Sequence, residues 1–315
     1  MDSDYLPLSR SRADRDAHSR TSPTLLAELV ADPSTRVLRV HRGRVATLEG
    51  ASGGDVGLRL GTPGTLTEGA QLVYLGRDQD ARYVAEIVPD VGGAAPQGEP
   101  SRVGDDPQGG IAPQFSQLRE IGWQLPARDA GLAATALALA NWHATHTHCP
   151  RCGTPTEVVE AGWVRRCPAD ESLHYPRTDP AVIMAVVDDA DRILLGHAVN
   201  WPEGQFSTSA GFVEPGESLE AAVRREVLEE TNIIVGAVTY RASQPWPFPA
   251  SLMLGFRGRA LTGDVRPDGL EITAARFFTR EELDSAAAAG ELRLPGRTSI
   301  ARGLIEEWFG GPLLD

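Results

Sequence analysis

Short apolar runs separated by turn residues mark the first part of the chain. Val37-Leu38-Arg39-Val40 and Arg44-Val45-Ala46-Thr47-Leu48 flank a His41-Arg42-Gly43 turn and predict paired strands. Segments 56–60, 72–75 and 83–88 continue the strand pattern, and 24–30 predicts a short helix. Region 24–90 thus reads as a small β-rich domain with few chemically active groups. Residues 1–20, charged and rich in Ser, Arg and Asp, predict a disordered tail. Residues 89–114 are dense in Gly, Pro, Asp and Gln and predict an exposed linker. Across 115–143 the spacing becomes helical, through Leu118, Ile121 and Leu125 and then an Ala/Leu-rich run. Pro126 divides this stretch into two helices.

Further on, residues 181–187 form an unbroken apolar run, Ala-Val-Ile-Met-Ala-Val-Val, suited to a strand buried on both faces. A turn at 188–191 and a strand at 192–196 follow. A helix at 218–231, strands near 233–240 and 252–260, and a helix at 299–309 complete a layered α/β pattern. No internal repeat is visible. The expected organisation is a tail at 1–20, an N-terminal domain at 21–145, a cysteine-bearing segment at 146–176 and a chemistry-bearing domain at 177–315.

Composition narrows the function classes. The chain has 315 residues, 41% apolar and 23% charged, enough for about two domains with a sizeable core. Lys and Arg number 30 against 43 Asp and Glu, a net charge of −13, which disfavours charge-driven binding to nucleic acid or an anionic membrane. An anionic substrate would then need a metal or a local Arg cluster. The basic strip Arg36, Arg39, Arg42 and Arg44 reads as a solvated strand face. The polar first 20 residues carry no secretory signal, and the apolar run 132–140 is too short for a membrane span, so a cytoplasmic protein with no membrane partner is expected. Three cysteines cannot build a disulfide framework, and their clustering is metal-like. Among the histidines, His143, His146 and His148 are expected in surface or capping roles rather than in catalysis.

The chemistry concentrates in residues 211–233. Gly211, Glu217, Arg225-Glu226 and Glu229-Glu230 stand at intervals of five, seven and two intervening residues. Ser218 is an N-cap candidate, and Glu226, Glu229 and Glu230 fall on one helix face beside an apolar stripe of Leu219, Ala222, Val223 and Val227. Glu217 can fold back to the same face. Crowded carboxylates repel, and hard divalent cations with oxygen ligands relieve that conflict. Arg225 is expected to hold a carboxylate through charge-assisted hydrogen bonds. Downstream, Ser243-Gln244-Pro-Trp246-Pro-Phe248-Pro-Ala-Ser251 is expected to present Gln244, Trp246 and Phe248 on an extended, proline-stiffened surface.

The first segment resembles the Nudix box, with Asn232 in place of its second glycine. Asn is the next-best residue after Gly for a left-handed helix end. The second segment resembles the signature of the NADH pyrophosphatase (NudC-type) family of Nudix hydrolases, and the likeness extends over roughly 115–310. It implies a Nudix α/β/α sandwich with a smaller β-rich N-terminal domain and a zinc-ribbon-like segment between them. It implies hydrolysis of the NAD(H) pyrophosphate to NMN(H) and AMP with Mg²⁺ or Mn²⁺, two or three per site, removal of NAD caps from RNA, and a homodimer that completes each site. By the same resemblance, Glu226, Glu229 and Glu230 are metal ligands, with Glu230 also a candidate water activator, and Glu271 is a further metal-site acid. Phe212 would stack on a base and Gln244 contact the dinucleotide, while Tyr175, Ile183, Ser251 and Ala301 match pocket positions. Hydrolysis of another dinucleoside diphosphate, such as ADP-ribose or FAD, or catalytically silent nucleotide sensing, are the alternatives.

Cys149, Cys152 and Cys167 approach a zinc-ribbon spacing, but the resemblance calls for a fourth cysteine where Asp170 stands. Asp170 or His174, and His148 as a third choice, are the candidate fourth ligands for a structural zinc. A bare pair of loops without zinc is the alternative.

Overall fold

The strand-patterned runs 37–40, 44–48, 72–75, 83–88, 181–187, 192–196 and 252–260 become strands of one of two large sheets. The structure is a computed structural model and describes residues 6–48, 56–89 and 114–313. The expected linker at 89–114 lies outside the described residues apart from its two ends. The chain divides into two compact units, one of Arg10–Thr178 with Pro247–Ala250, the other of Met1–Ser9, Asp179–Trp246 and Ser251–Asp315.

The first unit contains α1 (Leu25–Ala31), β1 (Arg36–His41), β2 (Arg44–Leu48), β3 (Gly57–Leu58), β4 (Leu60–Gly61), β5 (Gln71–Arg77), β6 (Arg82–Ile87) and β7 (Gln114–Ser116). The sheet order is β3-β2-β1-β6-β5, with β4 added to β1 and β7 to β2. β1 and β6 run parallel, and the other pairs are antiparallel. Then come α2 (Leu118–Ile121) and α3 (Ala127–Thr145), separated at Pro126 as expected. Alanines at 130, 133, 134 and 136 are buried, which lets α3 lie close against the sheet. A small antiparallel sheet, β10-β9-β8, follows from β8 (Glu157–Val159), β9 (Val164–Arg166) and β10 (Leu173–His174).

The structure corrects two expectations here. The first 20 residues are not a disordered tail where they are described. Asp14 and Arg77 exchange backbone hydrogen bonds of 2.8 Å, and Ala17–Thr21 forms a 3₁₀ turn. Leu6 and Leu8, each 1% exposed, are buried. Average composition hides two well-placed leucines. Nor is the arginine strip uniformly solvated, because Arg39 turns inward to Glu86 at 2.8 Å.

The second unit contains β11 (Asp179–Val187), β12 (Ile193–Ala198), β13 (Ser209–Phe212), α4 (Leu219–Thr231), β14 (Val235–Trp246), β15 (Ser251–Ala260), β16 (Ile272–Phe278), α5 (Arg280–Ala288) and α6 (Ile300–Phe309). The order is β14-β15-β11-β12-β16, with β13 added to β11. Successive β11 residues point to opposite layers. Val182, Met184 and Val186 pack with Val223 and Val227 of α4, while Ile183, Ala185 and Val187 pack with Leu304, Ile305 and Trp308 of α6. This is the α/β/α sandwich, and it explains the continuous apolar run. Leu6 joins the α6 layer. Strands β13 and β16 and helix α5 carry weak sequence patterns and were not anticipated.

Candidate active site and metal centres

Local chemistry sets the ends of α4. The Ser218 hydroxyl accepts the Ala221 N–H at 3.2 Å, and Asn232 closes the helix with φ 62°. Both match the sequence reading. The helix then carries Glu226, Glu229 and Glu230 toward β13. Gly211 of β13 leaves room here, because a Cβ at that position would overlap the Glu226 carboxylate and push it aside.

Arg225 organises the acids. It donates to Glu217 at 2.6 and 3.2 Å, to Glu226 at 2.8 Å and to Glu229 at 3.1 Å, and it also donates to the Phe212 carbonyl at 3.0 Å. These bonds hold the Glu217 carboxyl below its usual range and raise the guanidinium's own pKa. Glu226 is pushed up by burial, against the pull of Arg225. Glu230 is pushed up to about 7, chiefly by burial and then by the charges of Glu226, Glu271 and Asp268, while a hydrogen bond from Ser209 opposes the rise. Its Oε2 is buried without a hydrogen-bond partner. A buried, unpartnered carboxylate oxygen facing Glu226, Glu271 and Asp268 is a donor set suited to a hard divalent cation.

A cavity of about 320 Å³ opens beside Glu230. Of the residues singled out in the sequence, Ile183, Glu230, Trp246, Glu271 and Ala301 all line it, although they come from five different elements or loops. Trp201, Thr208, Ser209 and Met253 also line it and were not foreseen. Ser209 and Thr208 lie just before Gly211, so the start of β13 was the available signal. The Thr208 hydroxyl is buried and unpartnered in this wall. Phe212 is 58% exposed, a free aromatic face at the end of β13.

Other predicted positions fall elsewhere. Gln244 is not presented on a surface. It is fully buried, donating to the Thr298 carbonyl at 3.0 Å and accepting the Leu8 N–H at 3.3 Å. The prolines do not keep the whole array extended, because β14 ends at Trp246 and residues 247–250 form a turn into β15. Within the other unit, Asn141 of α3 donates to the carbonyls of Pro247 and Pro249 at 2.9 and 3.2 Å, and Arg119 stacks on Phe248. Ser243 accepts the Ser9 hydroxyl on its carbonyl at 2.7 Å. Ser251 pairs with Trp246 across the hairpin and is not part of the cavity wall. Tyr175 lies in the first unit and is exposed.

The cysteine segment forms two matching loops. Gly153 N donates to Cys149 O, and Glu171 N to Cys167 O, both at 2.9 Å, with left-handed residues at Gly153 and Glu171. This brings Cys149, Cys152, Cys167 and Asp170 together, with one ligand atom from each lying within 4.8 Å of the others. Such a set fits one tetrahedral ion. Asp170 occupies the place that Cys152 has in the first loop. His174 instead sits behind Ser172, whose hydroxyl donates to Asp170 at 2.6 Å, and His148 pairs with Thr147. His143 is not a surface residue. Its Nδ1 faces an Arg165 guanidinium N–H at 3.0 Å, so that nitrogen is an acceptor and its Nε2–H donates to the Gly162 carbonyl at 2.8 Å. Burial lowers its pKa to about 4.

Three family models match successive parts of the chain. Residues 177–297 match the NUDIX domain, 144–175 the NADH pyrophosphatase zinc ribbon domain, and 29–142 the NADH pyrophosphatase-like rudimentary NUDIX domain. The NAD-capped RNA hydrolase NudC of Mycobacterium bovis (strain BCG / Pasteur 1173P2) is 38% identical over 317 residues, covering 96% of this chain and 94% of that protein. The chain belongs to the NADH pyrophosphatase family of Nudix hydrolases. Nudix hydrolases need divalent metal ions, and this Nudix chain has both an acidic helix and a zinc-ribbon cysteine cluster. The NAD-capped RNA hydrolase NUDT12 of Homo sapiens is 42% identical over 198 residues, 59% of this chain and 43% of that protein, so the chain spans less than half the length of that relative. A crystal structure of a Nudix hydrolase from Nitrosomonas europaea matches with TM-score 0.39 and 24% identity, covering 54% of this chain and 96% of that one. Among the described residues, no helix is long and apolar enough to cross a membrane.

Proposed function

We propose that this chain hydrolyses the pyrophosphate of NAD(H) to NMN(H) and AMP with Mg²⁺ or Mn²⁺, and removes NAD caps from RNA 5′ ends. The observation that carries the reading is the cavity that joins Glu230 and Glu271 to Ile183, Trp246 and Ala301. It sets an acidic, metal-competent wall against an apolar and aromatic one, as a dinucleotide with a charged centre and flat ends requires. The names of the bacterial and human relatives support the same substrates.

Glu226, Glu229 and Glu230, with Glu217 and Glu271, would hold two or three divalent ions. Such ions neutralise phosphate oxygens and orient the attacking water and the leaving group. Arg225 keeps Glu217, Glu226 and Glu229 in place rather than binding substrate. Glu230, with a pKa near neutrality and a free Oε2, is the group suited to take a proton from water. Phe212 offers a stacking face that tolerates different bases. Gln244, buried with its amide bonded to the Thr298 carbonyl and the Leu8 N–H, would support the site from behind rather than touch the dinucleotide. Cys149, Cys152, Cys167 and Asp170 would hold one structural Zn²⁺. A cytoplasmic homodimer completes the proposal.

The test is chromatographic resolution of the products of NADH for the wild type and Glu229→Gln. NMNH and AMP should form only with added Mg²⁺ or Mn²⁺ and nearly vanish in the variant. A folded protein that leaves NADH and NAD intact overturns the reading.

A further inference from the structure

Glu271 reaches the acidic site from a different part of the chain than Glu226, Glu229 and Glu230, so something must fix its approach. In the loop that carries it, Leu270 is 79% exposed, while Ile272 on the other side of Glu271 is buried. Beside that packing, a set of hydrogen bonds converges on Asp268. Its backbone N–H donates to the Glu230 carbonyl at 3.2 Å, on the last turn of α4, and Arg266 N donates to the Thr231 carbonyl at 2.9 Å. Its Oδ1 accepts from the N–H groups of Leu270 at 3.1 Å, Glu271 at 3.1 Å and Ile272 at 2.9 Å, and Oδ2 also accepts from Glu271 at 3.2 Å. Gly269 N closes the turn on the Ile272 carbonyl at 3.0 Å, and the Glu271 carbonyl accepts Val199 N at 2.9 Å.

Building on the metal-dependent reading of this site, we propose that Asp268 is the positioning residue that locks Glu271 to the end of α4 and thereby sets the divalent-ion affinity of the acidic cavity. One side of Asp268 is tied to the helix that carries three of the acids. The other side fixes the backbone of the fourth. A ligand held by its own backbone loses orientation when that anchor goes, which typically weakens a metal by ~10–100-fold.

Two variants separate position from charge. Asp268→Asn keeps the Oδ1 acceptor and loses the negative charge. Asp268→Glu keeps the charge and displaces the acceptor by one methylene. Mn²⁺ titration of the full-length protein, read by electron paramagnetic resonance, should show Asp268→Asn within about threefold of wild type and Asp268→Glu weaker by ~10-fold or more. The Mg²⁺ concentration for half-maximal NADH hydrolysis should rise by the same factor in Asp268→Glu, with KM for NADH at saturating metal little changed. In a Glu271→Gln background, Asp268→Glu should add no further loss of Mn²⁺ affinity, because both changes remove the same contact. A Mn²⁺ affinity unchanged in Asp268→Glu, the reverse order of the two variants, or an equal loss in the Glu271→Gln background overturns the inference. If the wild type binds Mn²⁺ with this pattern and fails to cleave NADH, the positioning stands and only the assigned reaction falls.

Discussion

The two large sheets of this protein share one strand topology apart from β3, yet only one of them carries the acidic helix. In each, a central strand pairs in parallel with one neighbour and antiparallel with a hairpin partner, and a short extra strand lies across its first half. Val37 faces Gly61 in the first sheet as Val182 faces Gly211 in the second. Carried along the register, Arg39 and Glu86 stand where Met184 and Phe256 stand. In the second sheet, α4 leaves after β13 and packs on that apolar pair. In the first sheet the connection from β4 to β5 holds only a 3₁₀ turn, Pro63–Thr65. There the ion pair faces this connection. Arg39 donates to the Thr65 carbonyl, and Glu86 accepts the Thr67 N–H. An apolar face needs a helix to cover it, whereas a hydrogen-bonded ion pair can satisfy itself with a loop. Losing the helix also removes the only scaffold able to set three carboxylates on one face, so the first sheet keeps the fold without the site.

This contrast can be broken at several points. The largest effect is expected from Glu230→Gln, which should lower kcat for NADH by ~10²–10⁴-fold. Glu68→Gln, in the connection that replaces the helix, should leave kcat within about twofold, as an exposed substitution away from any site does. Steady-state kinetics on both variants checks the pair. Gly211→Ala forces the Glu226 carboxylate aside and should cost ~10²-fold in kcat/KM, the scale of an ångström-sized misplacement. Gly61→Ala should be nearly silent, because its new methyl would meet Thr65 Oγ1 at an ordinary 3.5 Å.

Stability sharpens the same comparison from the other side. Glu86→Ala strands Arg39 and should destabilise the protein by ~3–5 kcal/mol in urea titrations, with kcat of the remaining folded enzyme unchanged. A smaller effect follows from His143. Its folded pKa, about 4, lies below the unfolded value, so the unfolded chain takes up the proton first as pH falls. The stability contributed by the neutral ring is full above about pH 6.5 and is lost on acidification toward pH 4, amounting to at most ~3 kcal/mol. Melting curves across that window should flatten in His143→Gln. An unchanged slope would assign the acid sensitivity to other groups.

Much of the second unit was legible residue by residue. Ser218, Asn232 and the glutamate spacing specify the helix ends and its acidic face through short-range rules, and the run 181–187 announced a strand with two buried faces. The duplicated topology was not legible, because Arg39 and Glu86 share no side-chain chemistry with Met184 and Phe256. Register is a property of paired backbones, and it survives complete replacement of the side chains. The burial of Gln244 is not legible for a related reason. Polar residues are exposed by default, and only Leu8 and the Thr298 carbonyl, 236 and 54 residues away along the chain, make its burial satisfiable.

What the sequence by itself determined was everything carried by neighbours along the chain: the capped acidic helix, the strand-forming runs, the cysteine loops and the family. The tertiary structure alone decided which distant groups meet. It brought Glu271 and Trp246 to the cavity beside Glu230, chose Asp170 over His174 beside the thiols, and buried Leu6 and Leu8. Those outcomes depend on the pairing of strands far apart in sequence. Closing such contacts is a matter of chain entropy against packing, which no local pattern of residues encodes.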